Sequence, residues 1–283
     1  MKILVVGAGV LGSLHAVRLH DAGHDVSLLA RGARLAALRR DGVQLAVGDS
    51  ATVRRVPVPV VDRPADAYDL VIVFVRTHQV DDVLTTLADV GGDVLFVLNW
   101  AAGPAPLAAA LGADRVLLGT ASNGGVMDGD VLRYRPPSRL TRLVPMSIGD
   151  VPGPRADRIL QALTDAGMRA KLEPQIDAWL KTHAAFEVPL GQAVDAAGGR
   201  EALASDSAAL RDMIRQMRER LAALRTPVVP RGLRALQVIP EGLLVPVFRR
   251  FLRSRTVAYS GLDSTSPATV GEYARLAEQL DAA

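Results

Sequence analysis

The feature that most constrains this chain is Gly7-Ala8-Gly9-Val10-Leu11-Gly12, set directly behind the apolar run Lys2–Val6. Lys2–Val6 reads as a β-strand, and Val10–Ala22 has helical spacing that ends at Gly23, so the glycines occupy a strand-to-helix turn. Each glycine has its own task there. The first permits the tight turn, the second lets a pyrophosphate approach the backbone, and the third lets helix pack close on strand. The helix N-terminus then offers free N–H groups and a positive dipole end to the phosphates. Gly7, Ala8, Gly9, Val10, Leu11 and Gly12 are therefore expected to cradle a dinucleotide.

The rest of the first half keeps the same rhythm. Asp25–Leu29, Leu70–Val75, Val94–Leu98 and Val116–Leu118 read as strands, with strand-like segments near Val43–Val47 and Val53–Val61. Helical patterns at Arg34–Arg40, Val80–Leu87 and Pro106–Leu111 fall between them. Unbroken apolar strands suit a sheet buried on both faces, and the alternation predicts βαβ units. From Thr120 to about Asp150 the pattern becomes turn-rich and β-like, with Asn123-Gly124-Gly125 and Asp128-Gly129-Asp130 as turns. A helix at Arg155–Ala166 and a strand at Met168–Leu172 close the domain. Beyond Glu173 the periodicity is helical, over Ile176–Val194, Arg200–Leu224 and Gly232–Val238, with Pro227, Pro230, Pro240 and Pro246 as breaks. The expected fold is α/β: a Rossmann-type dinucleotide-binding domain over residues 1–172, then an all-α domain over 173–283.

The end of the second strand bears on which dinucleotide binds. An acid about 20 residues past the glycines would bond a ribose 2′-hydroxyl. Here the sequence is Ala30-Arg31-Gly32-Ala33-Arg34. A guanidinium can grip a 2′-phosphate through two hydrogen bonds and stack on adenine. Arg31 is thus the expected reader of NADP(H) in preference to NAD(H).

Composition excludes several other classes. Lys plus Arg total 33 against 30 Asp plus Glu, and aromatics are 4%, so no basic, aromatic-interleaved stripe for nucleic acid emerges. No apolar run reaches the roughly 18–20 residues that cross a bilayer. Cysteine is absent, which removes thiolate chemistry and disulfides and fits a cytoplasmic setting. His15, His20, His24 and His78 lack the helical spacing of a metal site, and no metal is expected. The apolar segment Leu243–Phe251, with Arg249, Arg250, Arg253 and Arg255 about its end, is expected to pack on the domain or in a homodimer rather than on a membrane.

Taken together, these residues resemble the ketopantoate reductase (2-dehydropantoate 2-reductase) family. Val75-Arg76-Thr77-His78-Gln79 is similar to a strand-end segment in which that family usually has Lys three residues before Gln. Arg76 stands at the Lys position, and the resemblance implies a cofactor contact there. Leu98-Asn99-Trp100-Ala101-Ala102-Gly103 is similar to the family's Asn-Gly-x-Gly segment, which implies that Asn99 touches both cofactor and substrate. Gly119-Thr120 through Gly125 resembles the next loop, placing the Gly125 backbone against the cofactor. Trp179-Leu180-Lys181 resembles the Trp-x-Lys that carries the family's proton-donating lysine.

The departures lie on the substrate side. Where the family places asparagines after the lysine, this chain has Ala184-Ala185 and Val188, ahead of Pro189-Leu190. The family's C-terminal serine and acid find no clear match over Arg253–Tyr273. A pocket stripped of such groups loses its grip on a hydroxylated keto acid. The expectation is an NADPH-dependent reductase of a 2-oxo acid or a related, more apolar carbonyl compound, with the proton from Lys181. An imine or 3-hydroxy-acid dehydrogenase on the same plan, or a non-catalytic NADP-binding sensor, are the competing readings. His183 reads as a locally satisfied histidine, while Asp177 and Glu187 are expected either to orient Lys181 or to face water.

Overall fold

The computed structural model describes residues 1–121, 124–136, 145–151, 153–254, 257, 262 and 267–282, without the side chains of 267 and 268. The turn residue Asn123 and the cation Arg255 lie outside the described residues. The chain divides into two compact units. One comprises Met1–Val75, Gln79–Leu98 and Pro104–Ile176; the other comprises Arg76–His78, Asn99–Gly103 and Asp177–Ala283.

The first unit is an α/β structure around an eight-stranded sheet of order β12-β11-β8-β7-β6-β1-β2-β5. Its strands are β1 (Lys2–Val6), β2 (Asp25–Leu29), β5 (Val60–Val61), β6 (Ala67–Val73), β7 (Gly91–Val97), β8 (Val116–Gly119), β11 (Met146–Gly149) and β12 (Ala170–Glu173). All neighbours are parallel except β8 and β11, which meet antiparallel through Gly119 and Ile148. Ile3, Val5, Leu28, Leu70, Ile72, Leu95 and Val97 are buried in the core that this sheet shares with its helices. That burial is why their runs carry no polar alternation. Helices α1 (Val10–Asp21), α2 (Gly32–Asp41), α3 (Val80–Leu87), α4 (Ala105–Leu111) and α5 (Arg155–Asp165) intervene along the chain. Strand β1 lies between β2 and β6, so the glycine turn stands at the carboxyl end of a central strand, where sheets of this kind bind ligands.

One strand differs from the sequence reading. Val53–Val61 is not one strand but two, β4 (Arg54–Val56) and β5, serving different sheets. Pro57 and Pro59 separate them, and neither can donate to a ladder. The β-like stretch after Thr120 supplies β9 (Gly125–Asp128) and β10 (Val131–Tyr134), which join β3 (Val43–Val47) and β4 in a second sheet of order β4-β3-β10-β9.

The second unit is helical: α6 (Ile176–Ala197), α7 (Arg200–Ser205), α8 (Ser207–Ala223), α9 (Ala235–Val238), α10 (Glu241–Leu252) and α11 (Pro267–Ala282). The single helix expected over Arg200–Leu224 is broken at Asp206. Its carboxylate accepts from the N–H groups of Ala208 and Ala209 at 2.8 and 3.0 Å and so caps α8. Pro246, expected to break a helix, sits inside α10 on its exposed side. There the carbonyl it leaves unbonded, that of the exposed Gly242 four residues back, is open to water. Helix α11 escaped the sequence reading altogether. Among the described residues no helix is long and apolar enough to cross a membrane.

Candidate active site

In the first unit the glycine turn has the geometry its spacing demands. Gly7 has φ +100°, and a Cβ there would strike the carbonyl oxygen of Phe74. A Cβ on Gly12 would strike the carbonyl oxygen of Gly7. Both glycines are thus required by the protein's own packing. Gly9 is different: a Cβ there meets nothing within 4 Å, and its φ of −80° suits any residue. It is the N-cap of α1 and no side chain caps that helix. Open space above an uncapped helix N-terminus leaves backbone N–H groups free for an anion. A dinucleotide's pyrophosphate fits this cradle on those grounds.

The flanking residues divide their work. Ala8, Val10 and Leu11 pack partly buried on the core. Arg31 is exposed at the start of α2 and donates to Thr86 Oγ1 at 2.8 Å. Arg34, which the sequence reading left without a role, donates from Nε to the Ala8 carbonyl at 3.1 Å and pairs with Asp130 at 3.4 Å. It therefore props the glycine turn, leaving Arg31 as the outward guanidinium. Gly125 is buried in β9, where a Cβ would meet the Arg133 carbonyl at 2.8 Å and Val10 Cγ1 at 2.9 Å. Its lack of a side chain lets β9 lie against the first residue of α1. Under the same helix His15 is wholly buried, with Nδ1 2.7 Å from the Leu11 carbonyl and its ring 4.4 Å from that of Phe74. Burial drives its pKa down to about 4, against the raising influence of the Leu11 bond, so the ring is neutral at physiological pH.

In the second unit the residues of Arg76–His78 and Asn99–Gly103 are gathered by α11. Arg76 forms an ion pair with Glu272, whose other oxygen accepts from Asn99 Nδ2 at 3.5 Å. The Ala101 N–H donates to Gln279 Oε1 at 2.9 Å, and Thr77 Oγ1 donates to the Asn99 carbonyl at 2.6 Å. Two residues singled out from sequence, Arg76 and Asn99, thus meet on an acid that was not. Glu272 lies within Arg253–Tyr273, the stretch in which no clear match to the family's acid was expected. Its signal was an acid on the buried stripe of α11, at Thr269, Glu272, Tyr273, Leu276 and Gln279, where helical spacing calls for apolar residues. Burial raises the Glu272 pKa and the charge of Glu187 adds to this, while Arg76 and Asn99 pull it down.

Lys181 lies on α6 with its side chain 14% exposed and its Nζ 3.0 Å from Asp177 Oδ2, one turn earlier. The other carboxylate oxygen of Asp177 is buried without a hydrogen-bond partner and lies 3.5 Å from where a Gly103 Cβ would be. Lys181 is therefore held beside the end of the segment that Asn99 begins, although no hydrogen bond or ion pair joins the two among the described residues. His183 stacks on Trp179 and stands 3.1 Å from Glu187. Partial burial opposes its charge, but the carboxylates of Glu187 and then Glu272 outweigh that and raise its pKa. Ala184, Ala185 and Val188 are buried, and Ala184 and Val188 pack with Ala101 and Leu276. Among the described residues, no three His, Asp or Glu side chains gather as metal ligands.

Residues 3–141 match the family described as Ketopantoate reductase PanE/ApbA. Over those residues the chain is similar to the ketopantoate reductase family. A 2-dehydropantoate 2-reductase of Archaeoglobus fulgidus is 30% identical over 176 residues, which is 62% of this chain and 57% of that protein. One from Mesorhizobium japonicum is 32% identical over 94 residues, 33% of this chain and 29% of its own length. The matching region thus spans little more than half of the first relative and under a third of the second. Two solved structures are similar over nearly the whole length. D-mandelate dehydrogenase in ternary complex with NADH and anilino(oxo)acetate has a TM-score of 0.69 at 15% identity, covering 100% of this chain and 99% of that one. The 2-dehydropantoate 2-reductase of Geobacter metallireducens has a TM-score of 0.69 at 16% identity, covering 98% and 99%. At such identities the likeness is one of fold.

Proposed function

We propose that this chain is an enzyme of the ketopantoate reductase type, an NADPH-dependent reductase of a 2-oxo acid or a related carbonyl compound. The observation that carries the reading is the cradle at Gly9: open space over an uncapped helix N-terminus, behind a central parallel strand. Gly7, Gly9 and Gly12 with their neighbours Ala8, Val10 and Leu11 would hold the pyrophosphate. Arg31, exposed and following the acid-free strand β2, would take the 2′-phosphate. The relatives support the activity class and the family resemblance supports the roles of Arg76, Asn99 and Gly125.

The cofactor, when bound, supplies the hydride. The protein's share is a proton and a polarising charge. Lys181, kept near Gly103 by Asp177, is a donor that can neutralise the alkoxide as it forms. Asn99 presents its side-chain amide next to Glu272, and Arg76 balances that acid's charge. Apolar Ala185 and Val188, at positions where the family has asparagines, favour a carbonyl substrate with fewer hydroxyl groups than ketopantoate. Glu272 on α11, paired with Arg76 and beside Asn99, supports the enzyme over a non-catalytic sensor.

Turnover measured by nicotinamide absorbance with a panel of 2-oxo acids, aldehydes and bulkier ketones tests the proposal. The expectation is NADPH oxidation with at least one 2-oxo acid, and a roughly 10²–10⁴-fold loss in Lys181→Ala. Tight NADPH binding without turnover on any carbonyl compound would favour the sensor, and full activity in the lysine variant would remove Lys181 from the mechanism.

A further inference from the structure

Arg31 is held by a different kind of partner from the arginines that follow it. On helix α2, Arg34 pairs with Asp130 at 3.4 Å, Arg39 with Asp62 at 3.2 Å and Arg40 with Asp41 at 2.7 Å. Arg31, the residue before α2, forms no ion pair among the described residues. Its guanidinium reaches helix α3 instead, where Nη2 donates to the neutral Thr86 Oγ1 at 2.8 Å. That hydroxyl is itself oriented. It donates its one proton to the Asp82 carbonyl, 2.9 Å away and one turn back on α3, so Arg31 meets its lone pairs. Arg31 and Thr86 lie 55 residues apart in sequence, and no local pattern reveals the pair.

A carboxylate in the place of Thr86 would cancel the charge of the guanidinium. A hydroxyl fixes its direction and leaves the charge intact. Of the N–H donors that a guanidinium carries, one is spent on Thr86 and the others remain for an anion. Arg31 is exposed, and an untethered arginine on a surface gives up its rotamer freedom when a ligand fixes it. A side chain already tied to α3 has less to give up, so the anion meets a donor set that is both charged and aimed.

We propose that Thr86 is a positioning residue for coenzyme choice: it aims the Arg31 guanidinium, still charged, at a 2′-phosphate and so favours NADPH over NADH. The inference rests on the reading of Arg31 as the partner of that phosphate. Fluorescence titration of the full chain with NADPH and with NADH gives the dissociation constants that test it. Thr86→Val keeps the β-branched shape, so α3 is preserved, and removes the acceptor. It is expected to weaken NADPH about threefold to tenfold, the scale of one lost hydrogen bond, and to leave NADH unchanged. Thr86→Ser restores the oxygen and is expected to recover the wild-type preference. Thr86→Asp neutralises Arg31 and is expected to weaken NADPH more than the valine does. Thr85→Val deletes a neighbouring hydroxyl, bonded at 3.2 Å to the Asp81 carbonyl, and is expected to change neither coenzyme. An unchanged NADPH constant in Thr86→Val overturns the proposal, as does a tighter one, which would make Thr86 a competitor of the phosphate. Equal losses with both coenzymes overturn it too, by making the hydroxyl a support of α3. Arg31→Ala separates this inference from the reading beneath it. Preference lost there but kept in Thr86→Val removes Thr86 alone, whereas preference kept in Arg31→Ala removes the role of Arg31 and the proposal with it.

Discussion

At the scale of the residue, the neighbours of each ionisable group decide its chemistry. His183 and Glu187 form an i, i+4 pair on α6, and the carboxylate keeps the imidazole protonated above its ordinary range. A raised histidine pKa stabilises the fold below the unfolded value and loses that contribution as pH rises through the folded one. Glu187→Gln is expected to move the His183 transition, followed by ring-proton NMR, to lower pH. An unmoved transition would remove Glu187 as its cause. Burial first, and the charge of Glu187 second, hold the acid on α11 above the usual carboxylate range against the pull of Arg76 and Asn99. At the nucleotide cradle, Arg31→Ala is expected to raise KM for NADPH about tenfold or more while leaving KM for NADH nearly unchanged, since a lost bidentate contact to the 2′-phosphate costs about 1.5–3 kcal/mol. Equal effects on both coenzymes would transfer that role away from Arg31. The local sequence made Arg31 and Arg34 equivalent. Only the fold separates them, turning Arg34 onto the Ala8 carbonyl.

At the scale of the element, α1 carries two separable demands. Gly9→Ala adds a methyl group into open space, so the fold should hold and dinucleotide affinity should fall about tenfold or more, roughly 1.4 kcal/mol. Gly12→Ala drives a methyl group onto the Gly7 carbonyl and should lower stability by about 1–3 kcal/mol. Thermal melts alongside titrations distinguish the two, and equal melting losses would mean that Gly9 is a packing glycine too. His15 adds a pH dependence to the same helix. Its folded pKa of about 4 lies below the unfolded 6.5, so protons prefer the unfolded chain between those values. Stability should therefore fall as pH drops through this window, by up to about 3 kcal/mol. Denaturant unfolding of His15→Leu should show a shallower decline, and an unchanged slope would exonerate the histidine. Helices α1 and α6 were legible because their glycines, lysine and apolar spacing form local patterns. Helix α11 was not, because its buried stripe interleaves Glu272 and Gln279 with Tyr273 and Leu276. Glu272 and Gln279 bond Arg76, Asn99 and the Ala101 backbone, which are remote in sequence. The second sheet was illegible for a like reason: β3 pairs with β10 across more than eighty residues, and no turn signal links them.

At the scale of the whole molecule, the chain joins an α/β unit that the sequence announces in its first twelve residues to a helical unit whose chemistry depends on contacts far apart in the chain. The parallel sheet follows from apolar runs that admit no solvent face. The gathering of Arg76, Asn99 and Glu272 follows from no local rule, and the resemblance to ketopantoate reductases reached two of the three. The central claim is that a phosphorylated nicotinamide dinucleotide seats on the turn from Gly7 to Gly12. Isothermal titration calorimetry of the wild-type chain and Gly9→Val tests it most directly. The account predicts saturable heat with NADPH at one site per chain, weaker heat with NADH, and none with the folded valine variant. No heat with either coenzyme in the wild type, or binding undiminished when Gly9 is filled, would contradict it.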